Sequence, residues 1–340
     1  MHYLVTGGAG FIGSNYVHRL LNRGESVTVY DNLSRKGAIR NLAWLLESNP
    51  ERLHFVQGDI RDAALLTSIA AQAEIIIHLA SQVAVTTSVL HPREDFEINA
   101  LGTFNVLEAA RLSPSRPAVI YASTNKVYGG MEHLAVNEEA TRYAYRDLPD
   151  GISEEFPLDF HSPYGCSKGT GDQYVRDYTR IYNLKTVVFR QSCIYGPRQF
   201  GIEDQGWVAW FIIAAVMGHM LTIYGDGKQV RDLLYIEDLL DAYDSAVTHI
   251  DRCSGQIYNV GGGPANQLSV WREFQPLLEE LVGHPISVKK SDWRPGDQKI
   301  FVSNIHKAKQ DLGWQPQIDV HTGIRRLHTW VVNHQALFTN

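Results

Sequence analysis

The chain has 340 residues, of which 44% are hydrophobic and 20% are charged, so it is long enough for one large domain or two coupled domains. Acidic residues exceed basic residues by 37 to 31, and the formal net charge of −6 makes nucleic acid and anionic membranes unfavourable partners. The three cysteines, at 166, 193 and 253, are too few and too widely spaced for a zinc cluster or a disulfide framework, so reduced thiols and no metal site are expected.

The N-terminal region has the pattern of a dinucleotide-binding turn. Residues 2–6 form an apolar run that predicts a buried strand, and the glycine-rich segment 7–13 leads from this strand into a helix. Gly8, Gly10 and Gly13 have the spacing G-x-G-x-x-G. Bare backbone at these positions lets a pyrophosphate approach the amide groups at the helix N-terminus, so this segment is expected to bind a dinucleotide.

The second predicted strand, at residues 26–30, indicates which dinucleotide binds. Asp31 follows this strand, about 20 residues after the glycines, which is where such folds place an acidic residue. A carboxylate there suits the ribose hydroxyls of NAD and repels the additional phosphate of NADP. Arg35 and Lys36 are cations of the kind that accommodates this phosphate, so NADP stays an alternative and NAD is the favoured cofactor.

Strands and helices then alternate through the first half of the chain. The pattern predicts strands at 53–57, 74–79 and 118–122, and helices at 61–71 and 92–112. This alternation is typical of an α/β fold with a Rossmann-type doubly wound parallel sheet. Ligands of such sheets bind at the carboxyl ends of the strands, so Asp59, Ile60 and residues 79–82 are expected at the cofactor cleft.

The segment 162–168 carries the candidate chemistry. It begins a predicted helix that extends to about residue 182, and Tyr164 and Lys168 lie one helical turn apart on it. An adjacent ammonium favours the phenolate, so the tyrosine pKa is expected to fall from its ordinary value of ~10 and to give a base at neutral pH. Thr124 follows the fifth strand at the same edge of the sheet, where its hydroxyl is expected to hydrogen-bond the group that Tyr164 deprotonates.

The second half of the chain alternates less regularly. The pattern predicts strands at 185–190 and 221–224 and helices at 206–218, 235–247 and 323–334. We expect an NAD-binding Rossmann domain at 1–190, which 232–260 rejoins, and a smaller C-terminal substrate-binding α/β domain at 191–340. The insertion at 131–158 is too long for an ordinary connection and is interpreted as a cover for the substrate.

The chain shows no targeting pattern. No charged segment followed by a cleavable apolar stretch begins it, and its longest apolar run, near 207–217, is shorter than the ~20 residues of a membrane helix. A cytoplasmic protein is therefore expected.

The glycine spacing, Thr124 and the Tyr164-x-x-x-Lys168 pair occur in the order found in one known family. The chain resembles the extended short-chain dehydrogenases/reductases that act on nucleotide sugars, over nearly its whole length. Longer strings resemble the members that invert C2 of a CDP-linked sugar, and they lie at 123–129, 159–169, 198–200, 204–208 and 227–232.

This resemblance implies a 2-epimerase with tightly bound NAD and a CDP-sugar substrate. Tyr164 would accept a proton from a sugar hydroxyl with help from Thr124, while a hydride leaves C2 for C4 of NAD and returns to the opposite face. Lys168 would hold Tyr164 ionised and bond the nicotinamide ribose. The resemblance also implies a role in lipopolysaccharide O-antigen biosynthesis and a homo-oligomer, dimer or tetramer, with a dimer formed through the helices at 92–112 and 164–182.

The resemblance further implies a set of binding residues. For the cofactor they are Gly7, Gly10, Phe11, Ile12, Gly13, Asp31, Asn32, Ser34, Arg35, Asp59, Ile60, Leu79, Ala80, Gln82, Asn99, Ser123, Tyr164 and Lys168. For the substrate they are Thr124, Asn125, Gln199, Gln205, Trp207, Arg231 and Arg294. The two arginines would contact the ribose and diphosphate, because a forked cation suits phosphate oxygens.

Two departures from the family pattern affect the expected reaction. The 4,6-dehydratases of the family carry an Asp-Glu acid/base pair where this chain has Asn125 and Lys126, which disfavours dehydration. Many 4-epimerases have an asparagine in place of Cys193, which weakens that assignment. A 4-epimerase, a CDP-glucose 2-epimerase and a non-catalytic NAD-binding regulator stay as alternatives.

Overall fold

The helices and strands of the computed structural model are assigned within residues 1–48, 50–294 and 297–339, which are the residues that the structure describes. In chain order, the strands are β1 (His2–Thr6), β2 (Ser26–Asp31), β3 (Leu53–Gln57), β4 (Ile75–His78), β5 (Ala118–Thr124), β6 (Val136–Glu138), β7 (Tyr143–Tyr145), β8 (Thr186–Gln191), β9 (Cys193–Tyr195), β10 (Leu221–Tyr224), β11 (Val230–Tyr235), β12 (Gln256–Val260), β13 (Gln267–Ser269), β14 (Val288–Ser291) and β15 (Ile300–Phe301). The helices are α1 (Phe11–Asn22), α2 (Ala38–Ser48), α3 (Ala63–Ala70), α4 (Val85–Leu90), α5 (Pro92–Phe96), α6 (Gly102–Leu112), α7 (Ser162–Tyr182), α8 (Trp207–Val216), α9 (Ile236–Thr248), α10 (Ile250–Cys253), α11 (Phe274–Val282), α12 (His306–Leu312) and α13 (Val320–Asn333).

A seven-stranded parallel sheet in the order β12-β8-β5-β4-β1-β2-β3 forms the centre of the molecule. The direction of winding reverses between β1 and β4, and the loops after these strands part there to leave a crevice at the carboxyl edge. The doubly wound α/β fold predicted from the sequence is therefore confirmed.

Both faces of this sheet are covered, which is why its strands are nearly continuous apolar runs. On one face Tyr16 of α1 packs against Tyr243 of α9, with 5.4 Å between the ring centroids. On the other face Leu66, Val106 and Val175, from α3, α6 and α7, form a second buried cluster. The central sheet is thus packed against helices on both faces.

Several helices differ from the sequence-based prediction. The helix expected at 92–112 is divided into α5 and α6 by a π-helical turn, Glu97–Leu101. No helix was predicted at α2, α4, α10, α11 or α12. In α2 the buried side chains Ala38, Leu42 and Leu45 recur at helical spacing.

The C-terminal half builds smaller sheets beside the central one. Strand β11 pairs with β13, β15 and β9, and β10 pairs with β14, while β12 returns to the central sheet beside β8. The insertion at 131–158 contains the hairpin of β6 and β7, and Arg142 in it forms an ion pair with Glu273 at 2.6 Å. The insertion is therefore held against the C-terminal elements.

Neither a membrane helix nor a disulfide occurs in the part of the chain that the structure describes. No helix there is long and apolar enough to span a bilayer. Cys166, Cys193 and Cys253 are free thiols. Pro295 and Gly296, which follow the predicted substrate residue Arg294 in the sequence, lie outside the described residues.

Candidate active site

The glycine turn between β1 and α1 is shaped to let a phosphate approach the backbone. Gly7 has a positive φ of 70°, and its carbonyl accepts a hydrogen bond from the Gly10 amide at 3.0 Å. A Cβ at Gly13 would lie well inside van der Waals contact of the Gly7 carbonyl oxygen. The first turn of α1 holds no acidic side chain, so its amide groups face no competing negative charge from their own helix.

A buried carboxylate stands next to this turn at the end of β2. Asp31 is only 8% exposed, and its two oxygens accept hydrogen bonds from the amides of Ala9, at 3.0 Å, and Leu33, at 2.8 Å. Burial raises the pKa of Asp31, and these amide hydrogen bonds act against the rise. The carboxylate is therefore tied to the backbone of the turn, in the position that a ribose-binding acid requires.

A cavity of about 570 Å³ opens along the carboxyl edge of the sheet, beside the turn and Asp31. Most of the predicted cofactor residues line it: Gly7, Gly10, Phe11, Ile12, Gly13, Asp31, Asn32, Ser34, Arg35, Asp59, Ile60, Leu79, Ala80, Gln82, Ser123, Tyr164 and Lys168. A bare glycine turn at one side, a buried carboxylate and a tyrosine-lysine pair are the groups that a nicotinamide dinucleotide needs, so the residues present fit this cofactor.

Asn99 is the one predicted cofactor residue that does not line the cavity. Its side-chain amide donates to the Gln82 carbonyl at 3.0 Å, and its side-chain oxygen accepts from the Gln82 amide at 2.9 Å. Asn99 thus holds the loop after β4 in place.

Tyr164 and Lys168 lie in the first two turns of α7, and both are buried. The Lys168 ammonium donates to the Ala122 carbonyl at 2.6 Å and lies 4.3 Å from the centre of the Tyr121 ring. Burial lowers the pKa of Lys168 to about 7, against the charges of nearby carboxylates that raise it. The lysine is therefore directed at the end of β5 by a carbonyl and an aromatic face.

Lys168 was expected to lower the pKa of Tyr164. That expectation is wrong when the protein's own groups alone act on the phenol. Burial raises the pKa of Tyr164 to about 12, and the hydrogen bond with Thr124 is the group that lowers it. Desolvation of the phenolate is the largest cause and the nearby charge of Asp95 adds to it, so the hydrogen bond with Thr124 offsets only part of the rise in pKa. The chain alone therefore keeps this phenol protonated at neutral pH.

A buried ion pair supports the strand end that carries Thr124. Arg190 of β8 binds Asp172 of α7 through two hydrogen bonds of 2.9 Å, and these side chains are 2% and 0% exposed. The Ser123 hydroxyl donates to the same carboxylate at 2.8 Å. Thr124 is the next residue, so the strand end that carries it is anchored to the buried ion pair.

Sequence reasoning missed two polar residues that position Tyr164. The Ser88 hydroxyl accepts a hydrogen bond from the Tyr164 amide at 3.1 Å. Asp95, which is 1% exposed, accepts from the Ser167 hydroxyl at 2.5 Å and from the Asn99 amide at 3.1 Å. No local sequence pattern marks these two residues, because the Tyr164 amide and the Ser167 hydroxyl lie more than 70 residues further along the chain.

Two of the seven predicted substrate residues line the cavity, and the other five lie outside its lining. Gln199 and Gln205 line the cavity, whereas Thr124, Asn125, Trp207, Arg231 and Arg294 do not. Arg231 forms an ion pair with Asp297 at 2.6 Å, while Arg294 pairs with Asp204 at 3.1 Å and lies 3.9 Å above the Tyr224 ring. Trp207 packs edge-on against the rings of two buried phenylalanines of the C-terminal elements, Phe211 and Phe274.

The fold and this site define a nicotinamide-dinucleotide enzyme of the extended short-chain dehydrogenase/reductase type. The chain matches the family described as GDP-mannose 4,6 dehydratase over residues 4–327, and it belongs to that family. The resemblance inferred from the sequence is thereby confirmed.

Three similar proteins show which reactions occur among the relatives of this chain. CDP-paratose 2-epimerase of Salmonella typhi is 45% identical over 337 residues, which cover 97% of this chain and 99% of that protein. UDP-glucose 4-epimerase of Thermotoga maritima, solved with UDP-glucose, has a TM-score of 0.84 at 30% identity and matches 98% of this chain and 100% of its own. The dTDP-glucose 4,6-dehydratase of Streptomyces venezuelae, solved with NAD, has a TM-score of 0.84 at 30% identity and matches 99% and 98%. NAD is the cofactor of this family.

Proposed function

We propose that the protein is a nucleotide-sugar epimerase that inverts C2 of a CDP-linked sugar, of the CDP-paratose to CDP-tyvelose type, through a transient 2-keto sugar. The observation that carries this proposal is the placement of Tyr164 and Lys168 in the wall of the dinucleotide cavity, with Thr124 bonded to Tyr164. The 45% identity to CDP-paratose 2-epimerase over nearly the whole chain supports the choice of carbon and nucleotide.

Each catalytic residue has a defined task in this proposal. NAD, when bound, supplies a cationic nicotinamide ring that accepts and returns a hydride, and its charge favours an ionised phenol nearby. Tyr164 takes the proton of the C2 hydroxyl at its phenolic oxygen and gives it back after the sugar has presented its other face. Thr124 holds that oxygen by a hydrogen bond, and Lys168 orients the ring of the cofactor ribose.

The cavity must also retain the 2-keto sugar between the two half-reactions. A ketone that escaped would leave the enzyme with reduced cofactor and end the cycle. Gln199, Gln205, Trp207, Arg231 and Arg294 are proposed to hold the nucleotide and sugar. Dehydration is disfavoured because Asn125 and Lys126 offer an amide and an ammonium where the 4,6-dehydratases of the family use an Asp-Glu acid/base pair.

We also propose the division into an NAD-binding domain at 1–190, rejoined by 232–260, and a nucleotide-sugar-binding domain at 191–340. The pairing of β12 with β8 supports the return of the chain to the first domain. A dimer through the helices of the first domain is proposed because Phe104 of α6 and Tyr174 of α7 are exposed and pack edge to face, 6.0 Å apart. The relative's substrate supports a place in O-antigen biosynthesis.

Proton NMR of reaction mixtures tests the function directly. The purified protein is incubated with CDP-paratose, CDP-glucose and UDP-glucose in separate tubes without added cofactor. Inversion of C2 in a CDP-linked sugar is the expected result. Inversion of C4 in UDP-glucose would replace the proposal by a 4-epimerase, the activity named for the Thermotoga neighbour.

A further inference from the structure

A short segment after β9 forms part of the wall of the NAD cavity. Residues 197–200, the strap, follow β9, and Arg198, Gln199 and Phe200 line this cavity together with the glycine turn. The strap comes from the C-terminal half of the chain, whereas the glycine turn follows β1. A dinucleotide in the cavity is therefore enclosed by segments that meet only when the two halves of the chain pack together.

Two asparagines bind the backbone of the strap to the N-terminal helices. Asn15 of α1 donates from its side-chain amide to the Pro197 carbonyl at 3.0 Å. Asn41 of α2, which is 1% exposed, donates to the Arg198 carbonyl at 3.3 Å and to the Ala9 carbonyl of the glycine turn at 3.2 Å. The strap is thus bonded to the helices that follow the first two strands, and one of these side chains also holds the glycine turn.

The side chain of Arg198 fastens the strap to two tryptophans. Its guanidinium lies 4.1 Å from the centre of the Trp44 ring, in α2, and 5.9 Å from that of Trp330, in α13. The ring of His18 stacks on Trp44, with 4.4 Å between the centroids. Arg198 also has a positive φ of 68°, a conformation that a residue other than glycine keeps only where surrounding contacts hold it. Contacts outside the cavity therefore fix the strap in place.

Phe200 covers the loop that follows β2. Gly37 in this loop has a φ of 83°, and a Cβ added there would clash with the Phe200 ring, so the ring lies directly against bare backbone. Phe338 packs against Phe200 from the C-terminal end of the chain, with 5.5 Å between the ring centroids. The covered loop carries Ser34 and Arg35, which line the cavity and belong to the predicted cofactor residues.

We propose that the strap closes the NAD site and slows the release of the cofactor, with Arg198 and Trp44 as the positioning residues that hold it closed. The proposal rests on the proposed function, in which the reduced cofactor must stay bound until the hydride returns to the sugar. In the described part of the chain, no hydrogen bond between backbone groups holds the strap. Opening it therefore breaks side-chain contacts and leaves the sheets intact.

Exchange of bound NAD for isotopically labelled NAD measures this release without requiring turnover. The protein purified with NAD is mixed with an excess of labelled NAD, and the bound label is followed by rapid desalting and mass spectrometry. Arg198→Met removes the cation beside Trp44, so exchange should be roughly 2- to 30-fold faster than in the wild type, which is the range that a cation-π contact supports. Arg40→Met, at an exposed arginine of α2, is the matched control and should exchange at the wild-type rate.

Trp44 separates the effect of the strap from direct contact with the cofactor, because Trp44 does not line the cavity. Trp44→Leu should also accelerate exchange. The double variant Arg198→Met/Trp44→Leu should be no faster than the faster single variant, since both substitutions remove the same contact. Arg198→Lys keeps a cation beside the ring and should retain most of the slow exchange. A merely structural role would lower the melting temperature of these variants without this pattern of exchange rates.

The outcomes separate the two proposals. Wild-type exchange in Arg198→Met and Trp44→Leu, or effects that multiply in the double variant, would overturn the strap and leave the epimerase proposal standing. If Trp44→Leu does not fold, the comparison of Arg198→Met with Arg198→Lys decides, and equally fast exchange in both would overturn the role of the cation. Wild-type protein that inverts no sugar carbon would instead contradict the proposed function, whereas the exchange rates would still report on the strap.

Discussion

The buried ion pair between Asp172 and Arg190 gives a prediction whose size follows from the structure. Asp172→Asn keeps the shape of the side chain but removes the negative charge that faces the guanidinium. Arg190 then stays in the core, 2% exposed, with its charge uncompensated. Removing one partner of a buried pair typically costs about 3–5 kcal/mol, because the other charge stays desolvated.

This loss translates into a measurable shift of the melting temperature. Unfolding entropies near 2.1 cal/mol/K per residue give about 0.7 kcal/mol/K for the 340 residues, if the chain unfolds as one unit. The melting temperature of Asp172→Asn should therefore fall by roughly 4–7 °C. Arg190→Met combined with Asp172→Asn should be less destabilised than the sum of the two single variants, since no unpaired charge remains.

Thermal unfolding followed by circular dichroism measures these shifts, with NAD content checked in each sample. Asp177→Asn is the matched control, because Asp177 lies on the same helix and is exposed. It should melt within about 1 °C of the wild type, since surface substitutions usually change stability by no more than ±0.5 kcal/mol. An Asp172→Asn protein as stable as Asp177→Asn would refute the reasoning that this pair is desolvated.

Three further changes test the site. Tyr164→Phe keeps the buried ring but removes the oxygen that transfers the proton, so turnover should fall ~10²- to 10⁴-fold while NAD stays bound. A variant that kept most of its activity would show that Tyr164 is not the catalytic acid/base. Gly13→Ala puts a methyl group against the Gly7 carbonyl, so the protein should be purified folded but with little NAD, as read from the absorbance of the released cofactor. Burial lowers the pKa of Lys168 to about 7, whereas the unfolded chain keeps a lysine pKa of ~10. Between these two values the folded state binds fewer protons than the unfolded state. The free energy of unfolding should therefore rise with pH across this window. Lys168→Met should remove this contribution in urea unfolding measured at pH 7 and pH 9; an unchanged slope would contradict the assigned pKa.

Local sequence patterns predicted part of the fold and of the site. The apolar run of β1, the glycine turn and the carboxylate of Asp31 follow one another within about thirty residues, so spacing alone predicts a dinucleotide site. The Tyr164 and Lys168 pair is likewise local, because one helical turn separates them.

The parts that were missed depend on contacts between distant segments. Asp95 meets Ser167 only after the sheet brings α5 beside α7, and the hydrogen bond from Lys126 to Gln298 spans 172 residues. The pKa values of Tyr164 and Lys168 also depend on burial, which sequence spacing does not report, and the predicted direction for Tyr164 was wrong for this reason.

The fate of the hydrogen on C2 tests the proposed hydride transfer most directly. The epimerisation of a CDP-linked sugar is run to equilibrium in deuterium oxide without added NAD, and the product is examined by proton NMR and mass spectrometry. C2 should be inverted and should keep its original hydrogen, because in the proposed mechanism the hydride leaves and returns within the same cavity. Deuterium at C2 of the product would contradict it and would point to an enolisation route through solvent.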